Sequence, residues 1–150
     1  HLAGYFGNGK YLKHLKKISK KLYVSDKIIY HGLLKLGDEL NTLYRNSDIL
    51  IIASKSEGFP RSIWEAFSNS IPVITTNVGS IPYILKNKHD SIIINHSSPI
   101  EIVDAVIELK TNKRLRKKIL INSIKLAKTA TIENNSKKMV ELIENININQ

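Results

Sequence analysis

The sequence predicts an α/β fold in which helices cover both faces of a parallel sheet and additional helices follow at the C-terminus. Over the first hundred residues, apolar runs of strand length alternate with segments whose apolar residues recur at helical spacing. Two segments, 48–54 and 71–76, contain continuous apolar runs, which are typical of strands buried on both faces. From Ser97 onward the pattern is helical alone. This alternation favours right-handed crossovers and therefore a parallel sheet.

The strands are predicted from apolar content and from the glycine and polar residues that bound each run. They cover residues 1–6, 27–32, 48–54, 71–76 and 90–95. In open parallel sheets, ligands bind beyond the carboxyl ends of the strands. The candidate site therefore lies in the loops after Phe6, His31, Ser54, Thr76 and Asn95.

The helices are predicted from spacing and from start signals. Asp38 is a favourable N-cap residue, and Pro60 and Pro99 are suited to a first helical turn. Apolar residues at every third or fourth position complete the pattern. The helices so predicted are 10–22, 37–47, one that Pro60 begins, a short one within 81–86, and a helical region from Ser97 to Ile146.

Composition sets the class of protein. The chain has 150 residues, which favours one domain, and 42% of them are hydrophobic, which argues against disorder. It contains no cysteine, so disulfides and thiolate metal sites are excluded and a reducing compartment is compatible. No apolar run approaches the roughly 20 residues of a membrane span.

The net charge of +10 favours anionic partners. Lysines far outnumber arginines, and no cluster of arginine and aromatic residues indicates a nucleic-acid surface, so we expect no nucleic-acid partner. A solvated basic surface is the simpler interpretation of the lysine runs. Helix 10–22 is basic and amphipathic and could contact anionic lipid, but we favour its apolar stripe as core because a helix after a strand must cover the sheet.

The segment 48–70 reads as strand, loop and helix. Because Pro60 begins the helix, the backbone N–H groups of Arg61, Ser62 and Ile63 point back into the loop, where they and the helix dipole favour an anion. Gly58 allows the backbone to approach a ligand closely. The loop has no GxxxxGK[ST] pattern, which excludes a P-loop.

Two carboxylates flank this helix start. Helical periodicity places Glu65 opposite the apolar face, on the same side as Arg61, and predicts a solvated residue that pairs with Arg61. Glu57 lies in a loop at the carboxyl end of a strand, where functional residues gather. From position alone, a functional role for Glu57 and a merely solvated side chain are equally open alternatives.

At this point the residues resemble a known family. From His31-Gly32, through "DELNTLYRNSDILIIAS" and "SEGFPRSIWEAFSNSIPVITTNVGSIPYI", to "DSIIIN", the chain resembles the retaining glycosyltransferases of the GT-B fold called glycosyl transferases group 1, or family 4. That family carries a carboxylate pair spaced E-x7-E, and Glu57 and Glu65 stand at this spacing. The resemblance spans nearly all of the 150 residues.

The resemblance implies a Rossmann-like domain, one half of a GT-B fold, that binds a nucleotide-diphosphate sugar as substrate. Glu57 would be the catalytic carboxylate and lie against the donor sugar, either as an electrostatic stabiliser or as a nucleophile. Backbone amides after it would meet the sugar hydroxyls, Glu65 the ribose, the helix start the diphosphate and the loop after Gly32 the base. The donor-binding residues so implied are Gly32, Leu33, Leu34, Gly58, Phe59, Pro60, Arg61, Ser62, Ile63 and Glu65.

The chain also departs from the family pattern. Where the family has G-G-x-x-E, this chain has Gly79-Ser80-Ile81-Pro82-Tyr83, which weakens any role for that loop. The family's first strand–helix unit, with an Arg and a Lys that clamp the donor phosphates, and its N-terminal acceptor domain have no counterpart here. We therefore expect residues 1–150 to be a single nucleotide-sugar-binding domain, either a C-terminal fragment that is inactive alone or one half of a split enzyme.

The resemblance further implies transfer with retention to a glycan or glycolipid acceptor held by the missing domain, as in polysaccharide biosynthesis. We expect no cofactor and no metal, since no two aspartates stand in a D-x-D pattern. The expected location is the cytoplasm, with the inner face of the membrane as an open alternative. The competing interpretation is a non-catalytic module that binds nucleotide or glycan without turnover.

Overall fold

The computed structural model describes residues 1–5, 9–95 and 98–147. It contains the predicted strands and helices, each within a few residues of its predicted bounds. Phe6, where the first predicted loop begins, and His96 and Ser97, at the start of the last one, lie outside the described residues. The strands are β1 (Leu2–Ala3), β2 (Tyr30–Gly32), β3 (Leu50–Ile52), β4 (Val73–Thr76) and β5 (Ile92–Ile94). The helices are α1 (Lys10–Lys21), α2 (Asp38–Arg45), α3 (Arg61–Ser68), α4 (Ile81–Ile84), α5 (Pro99–Thr111), α6 (Lys113–Thr129) and α7 (Ile132–Asn147), with a 3-10 turn at Ser25–Lys27.

The chain divides into two compact units, His1–Leu43 and Tyr44–Gln150. In the first unit, β1 and β2 pair in parallel with Leu2 opposite Tyr30. In the second, β3, β4 and β5 form a three-stranded parallel sheet in that order. The prediction of parallel pairing is confirmed in both units, and the single domain over residues 1–150 stays a prediction.

The core of the second unit lies between its sheet and its helices. Every residue of β4 is buried, as predicted for this strand, and the buried residues include the polar Thr75 and Thr76. Helix α3 packs against β4 and α6, and it buries Ile63, Ala66 and Phe67 completely. Burial of the Phe67 side chain alone stabilises the fold by about 1.5–3 kcal/mol. A further cluster joins the sheet to α5 and α6, formed by Ile74, Ile92, Ile94, Ala105, Leu109 and Ile119.

Strand β3 is less buried than its sequence predicts. Ile51 is 43% exposed, whereas its partner in register, Ile74, is fully buried. Among the described strands, β3 pairs with β4 alone and so forms an edge of the three-stranded sheet. The prediction of burial on both faces is therefore wrong for β3 and right for β4.

Helix α1 also differs from its prediction. Leu12 and Leu15 are half-buried, but Tyr11, Ile18 and Leu22 on the same apolar stripe are exposed. The core assignment is thus wrong for these three side chains. Across the ranges 1–5, 9–95 and 98–147, no helix combines the length and the apolar content that crossing a bilayer requires.

Candidate functional site

The candidate site is the loop of residues 53–60, which connects β3 to α3. The loop after β4 closes against it, because the backbone amide of Ser80 donates a 2.9 Å hydrogen bond to the carbonyl oxygen of Gly58. Both loops leave the carboxyl ends of neighbouring parallel strands, the edge at which the sequence predicts a ligand.

The Glu57 carboxylate is held within this loop. Ser54 donates its hydroxyl to Glu57 Oε1 at 2.6 Å, a short bond of the kind that a charged acceptor makes. Ser54 is itself fixed, since the buried hydroxyl of Thr76 donates to its carbonyl oxygen at 2.6 Å. The side chain of Glu57 is therefore half-buried and tied to both neighbouring strands rather than free in solvent.

Gly79 makes the close approach of the two loops possible. Its φ is +56°, in the left-handed region, and a Cβ placed on it would lie 1.9 Å from the carbonyl oxygen of Glu57. Only glycine fits such a position. The replacement of one glycine and the glutamate of the family pattern predicts a weaker role for this loop, whereas the retained glycine, Gly79, is the one that contacts the candidate site.

The N-terminus of α3 has the backbone that an anion site requires. Pro60 is the N-cap residue, one position before the helix, with φ −65° and ψ 122°. The amide of Ile63 donates to the Pro60 carbonyl oxygen at 3.1 Å, so the turn itself engages one of the three predicted donors. Arg61 is exposed and Ser62 is half-buried. The helix dipole adds positive potential at this end.

Phe59 lies beside this turn. Its ring centroid is 5.0 Å from that of Trp64, and Trp64 meets the buried Phe67 edge-to-face at 6.1 Å. This aromatic contact anchors the end of the loop to the core through α3.

Glu65 is not the solvated residue that periodicity predicts. Its side chain is 25% exposed, and Arg61 Nη2 lies 3.5 Å from Oε1, which confirms the predicted pairing with Arg61. The hydroxyl of Tyr44 donates to Oε2 at 3.0 Å. Tyr44 comes from α2 and is buried. Its spacing within α2 carries no signal for this contact.

The Tyr44–Glu65 contact alters the chemistry of the phenol. Burial raises the pKa of Tyr44 well above its usual range, and the hydrogen bond and negative charge of Glu65 raise it further. Tyr44 therefore stays a neutral hydrogen-bond donor at all ordinary pH values.

The remaining predicted positions lie in the first unit, at the carboxyl end of β2. Gly32 has φ +69°, which favours glycine, Leu33 is exposed and Leu34 is half-buried. Nearby, His31 Nε2 lies 2.8 Å from His1 Nδ1. The roles implied for Gly32, Leu33 and Leu34 stay predictions.

Metal-binding side chains do not converge in the described parts of the chain. There, no three His, Asp or Glu side chains lie close enough together to hold an ion. The expectation of metal-independent chemistry stays a prediction.

Comparison with known proteins identifies the fold. A family model described as Glycosyl transferases group 1 matches residues 1–126. The C-terminal domain of LpcC, a glycosyl transferase group 1 family protein from Francisella tularensis, is 29% identical with a TM-score of 0.70, over 80% of this chain and 62% of that one. HepE from Anabaena, solved in complex with UDP-glucose, has a TM-score of 0.85 at 18% identity, over 96% of this chain and 40% of that one. At 18% identity the likeness shows the fold alone, and it confirms one Rossmann-like half of a GT-B fold.

A curated relative gives the same result. Sulfoquinovosyl transferase SQD2 of Arabidopsis thaliana is 29% identical over 107 residues, which are 71% of this chain and 20% of that protein. The chain thus spans about a fifth of the length of this relative.

Proposed function

Because this chain belongs to the glycosyl transferases group 1 family, we propose that it is the donor-binding part of a glycosyltransferase and holds a nucleotide-diphosphate sugar at residues 53–60 and the start of α3. One observation carries the proposal. The two carboxylates of the E-x7-E pair flank the same helix N-terminus, and each is held by a hydroxyl donor, Ser54 for Glu57 and Tyr44 for Glu65. HepE, of the same fold, was solved with UDP-glucose, which supports a nucleotide sugar as ligand.

The proposed roles follow from charge. In the transfer, the bond between the anomeric carbon and the diphosphate breaks, the acceptor oxygen bonds to that carbon, and the acceptor proton passes to the leaving phosphate. Negative charge grows on the diphosphate, where the amides of Arg61 and Ser62 and the α3 dipole stabilise it. The Glu57 carboxylate stabilises the positive charge that develops on the sugar.

Retention of configuration has two routes at this site. In the one we favour, the acceptor attacks from the face that the diphosphate leaves. In the other, Glu57 is a nucleophile and forms a glycosyl-enzyme intermediate, as in retaining glycosidases. Neither route requires a metal or a cofactor.

We propose a glycan or glycolipid acceptor bound by an N-terminal domain, so that the 150-residue chain binds donor without turnover. The cytoplasm is the proposed location. Contact of the basic helix α1 with anionic lipid at the inner membrane face is a further alternative, since Tyr11, Ile18 and Leu22 are exposed beside its lysines.

Thermal unfolding with a panel of UDP-, GDP- and ADP-sugars tests donor binding. At a ligand concentration ten times the dissociation constant, the matching donor stabilises the chain by about 1.4 kcal/mol. For a chain of this size, that raises the midpoint by roughly 3–6 °C. Glu65→Ala is expected to reduce this rise in the thermal midpoint, whereas Glu141→Ala, at an exposed position of α7, is expected to leave it unchanged.

No shift with any of these donors at millimolar concentration would sink the donor-site proposal. A shift that Glu65→Ala leaves intact would move the ligand to another place on the chain. Binding without turnover, even in a longer protein that includes an acceptor domain, would favour the non-catalytic module.

A further inference from the structure

Tyr44 is a member of the candidate site that the E-x7-E pattern does not include. It lies in the last turn of α2 and is 7% exposed. Its hydroxyl reaches across to α3 and donates to Glu65 Oε2 at 3.0 Å. A buried phenol that donates to a partly exposed carboxylate restricts the rotamer of that carboxylate.

The Glu65 carboxylate keeps acceptor capacity after this bond. An ionised carboxylate offers about four lone-pair sites on its two oxygens. Tyr44 occupies one on Oε2, and the guanidinium of Arg61 lies 3.5 Å from Oε1. Both oxygens therefore retain a site for a further donor, and the side chain is 25% exposed, so a ligand can reach them. Two neighbouring acceptors match the two adjacent hydroxyls of a ribose.

The donor and acceptor roles in this pair are fixed. Burial and the neighbouring carboxylate raise the pKa of Tyr44, so the phenol carries its proton and can only donate to Glu65. The Arg61 guanidinium also only donates. Because both partners are hydrogen-bond donors, the remaining lone pairs of Glu65 are available to accept hydrogen bonds from a ligand.

We propose that Tyr44 is a positioning residue that orients the Glu65 carboxylate to receive the ribose hydroxyls of a nucleotide. The inference rests on the proposed function, since it requires that Glu65 meet the ribose. It adds that the contact depends on a second helix, α2, whose sequence the E-x7-E pattern does not cover.

A thermodynamic cycle on the 150-residue chain tests this role. The probes are UDP and 2′,3′-dideoxyuridine diphosphate, and the readout is the dissociation constant from calorimetry. Tyr44→Phe is expected to weaken UDP binding roughly three- to tenfold, the usual range for one lost hydrogen bond, and to leave the dideoxy analogue unaffected. In a Glu65→Ala background, Tyr44→Phe is expected to have no further effect on UDP.

The control is Tyr83→Phe, at an 89% exposed tyrosine, which should change neither constant. Equal weakening of both probes by Tyr44→Phe would show a merely structural role, and unchanged UDP binding would also overturn the inference. If the wild-type chain bound neither probe, the proposed function and this inference would fall together, a result distinct from failure of the inference alone. Circular dichroism and the thermal midpoint establish that Tyr44→Phe folds. If Tyr44→Phe does not fold, Tyr44→Trp, which keeps an N–H donor, and Glu65→Gln are measured with the same two probes. Each variant should lower the preference for UDP over the dideoxy analogue if the orientation of the carboxylate matters.

Discussion

Glu65 shows how one residue changes its interpretation when a second helix is included. Periodicity within α3 places it on the polar face and pairs it with Arg61, and the pairing is present at 3.5 Å. The same reasoning cannot detect Tyr44, because residues 21 positions apart meet only through the tertiary fold. Spacing along one helix predicts neighbours on that helix, and the packing of α2 decides the rest.

The buried phenol predicts an alkaline dependence of stability. An unfolded chain releases the Tyr44 proton near the ordinary pKa of about 10, while the raised pKa of Tyr44 keeps the proton on the folded chain to higher pH. Above pH 10 the unfolded state thus binds fewer protons, and the free energy of unfolding falls by up to about 1.4 kcal/mol per pH unit through this group. Below pH 10 the contribution of Tyr44 is fully present.

Urea unfolding between pH 8 and about 11.5 checks this expectation. Relative to wild type, Tyr44→Phe should lose less stability as the pH rises, whereas Tyr83→Phe, at an exposed position, should follow wild type. Parallel curves for wild type and Tyr44→Phe would mean that the phenol titrates normally in the folded chain.

At the scale of elements, the sequence predicts the strand, loop and helix of β3–α3 well, but it predicts the burial of strand β3 less well. The sequence identifies β3, the loop and the helix after Pro60, because apolar runs and proline are local signals. It cannot distinguish the edge strand β3 from the central strand β4, since the partly exposed run of β3 (LII) is more apolar than the fully buried run of β4 (VITT). Exposure of Ile51 depends on which strands lie beside it, and that information is not local.

The two loops at the carboxyl edge act as one unit through Gly79. Its left-handed φ of +56° and the clash of an added Cβ with the Glu57 carbonyl oxygen predict that Gly79→Ala destabilises the chain by about 2 kcal/mol or more. The clash falls on backbone atoms, which cannot rotate away. Chemical denaturation measures the loss.

Gly58→Ala is the matched control. A Cβ at Gly58 meets nothing within 4 Å, so the substitution should cost well under half as much. Equal costs at the two positions would show that the close approach at Gly79 does not determine the loop geometry.

At the scale of the whole molecule, the net charge and the candidate site contribute separately to the binding of an anionic ligand. The net charge of +10 raises the local concentration of any anion but does not choose a position. Lysines crowd α1, and basic residues crowd α6, which packs against α3. In the proposed function, specific binding of a nucleotide sugar comes from the hydroxyl-held carboxylates and the helix N-terminus, and general attraction comes from the basic helices.

Amide chemical-shift mapping of the 150-residue chain during titration with UDP-glucose distinguishes specific binding at the candidate site from general attraction by the basic helices most directly. The donor-site account predicts saturable shifts concentrated at Gly58, Arg61, Ser62 and Glu65 that persist at 0.5 M salt. Shifts confined to the lysine-rich surfaces of α1 and α6, growing without saturation and vanishing with salt, would contradict it.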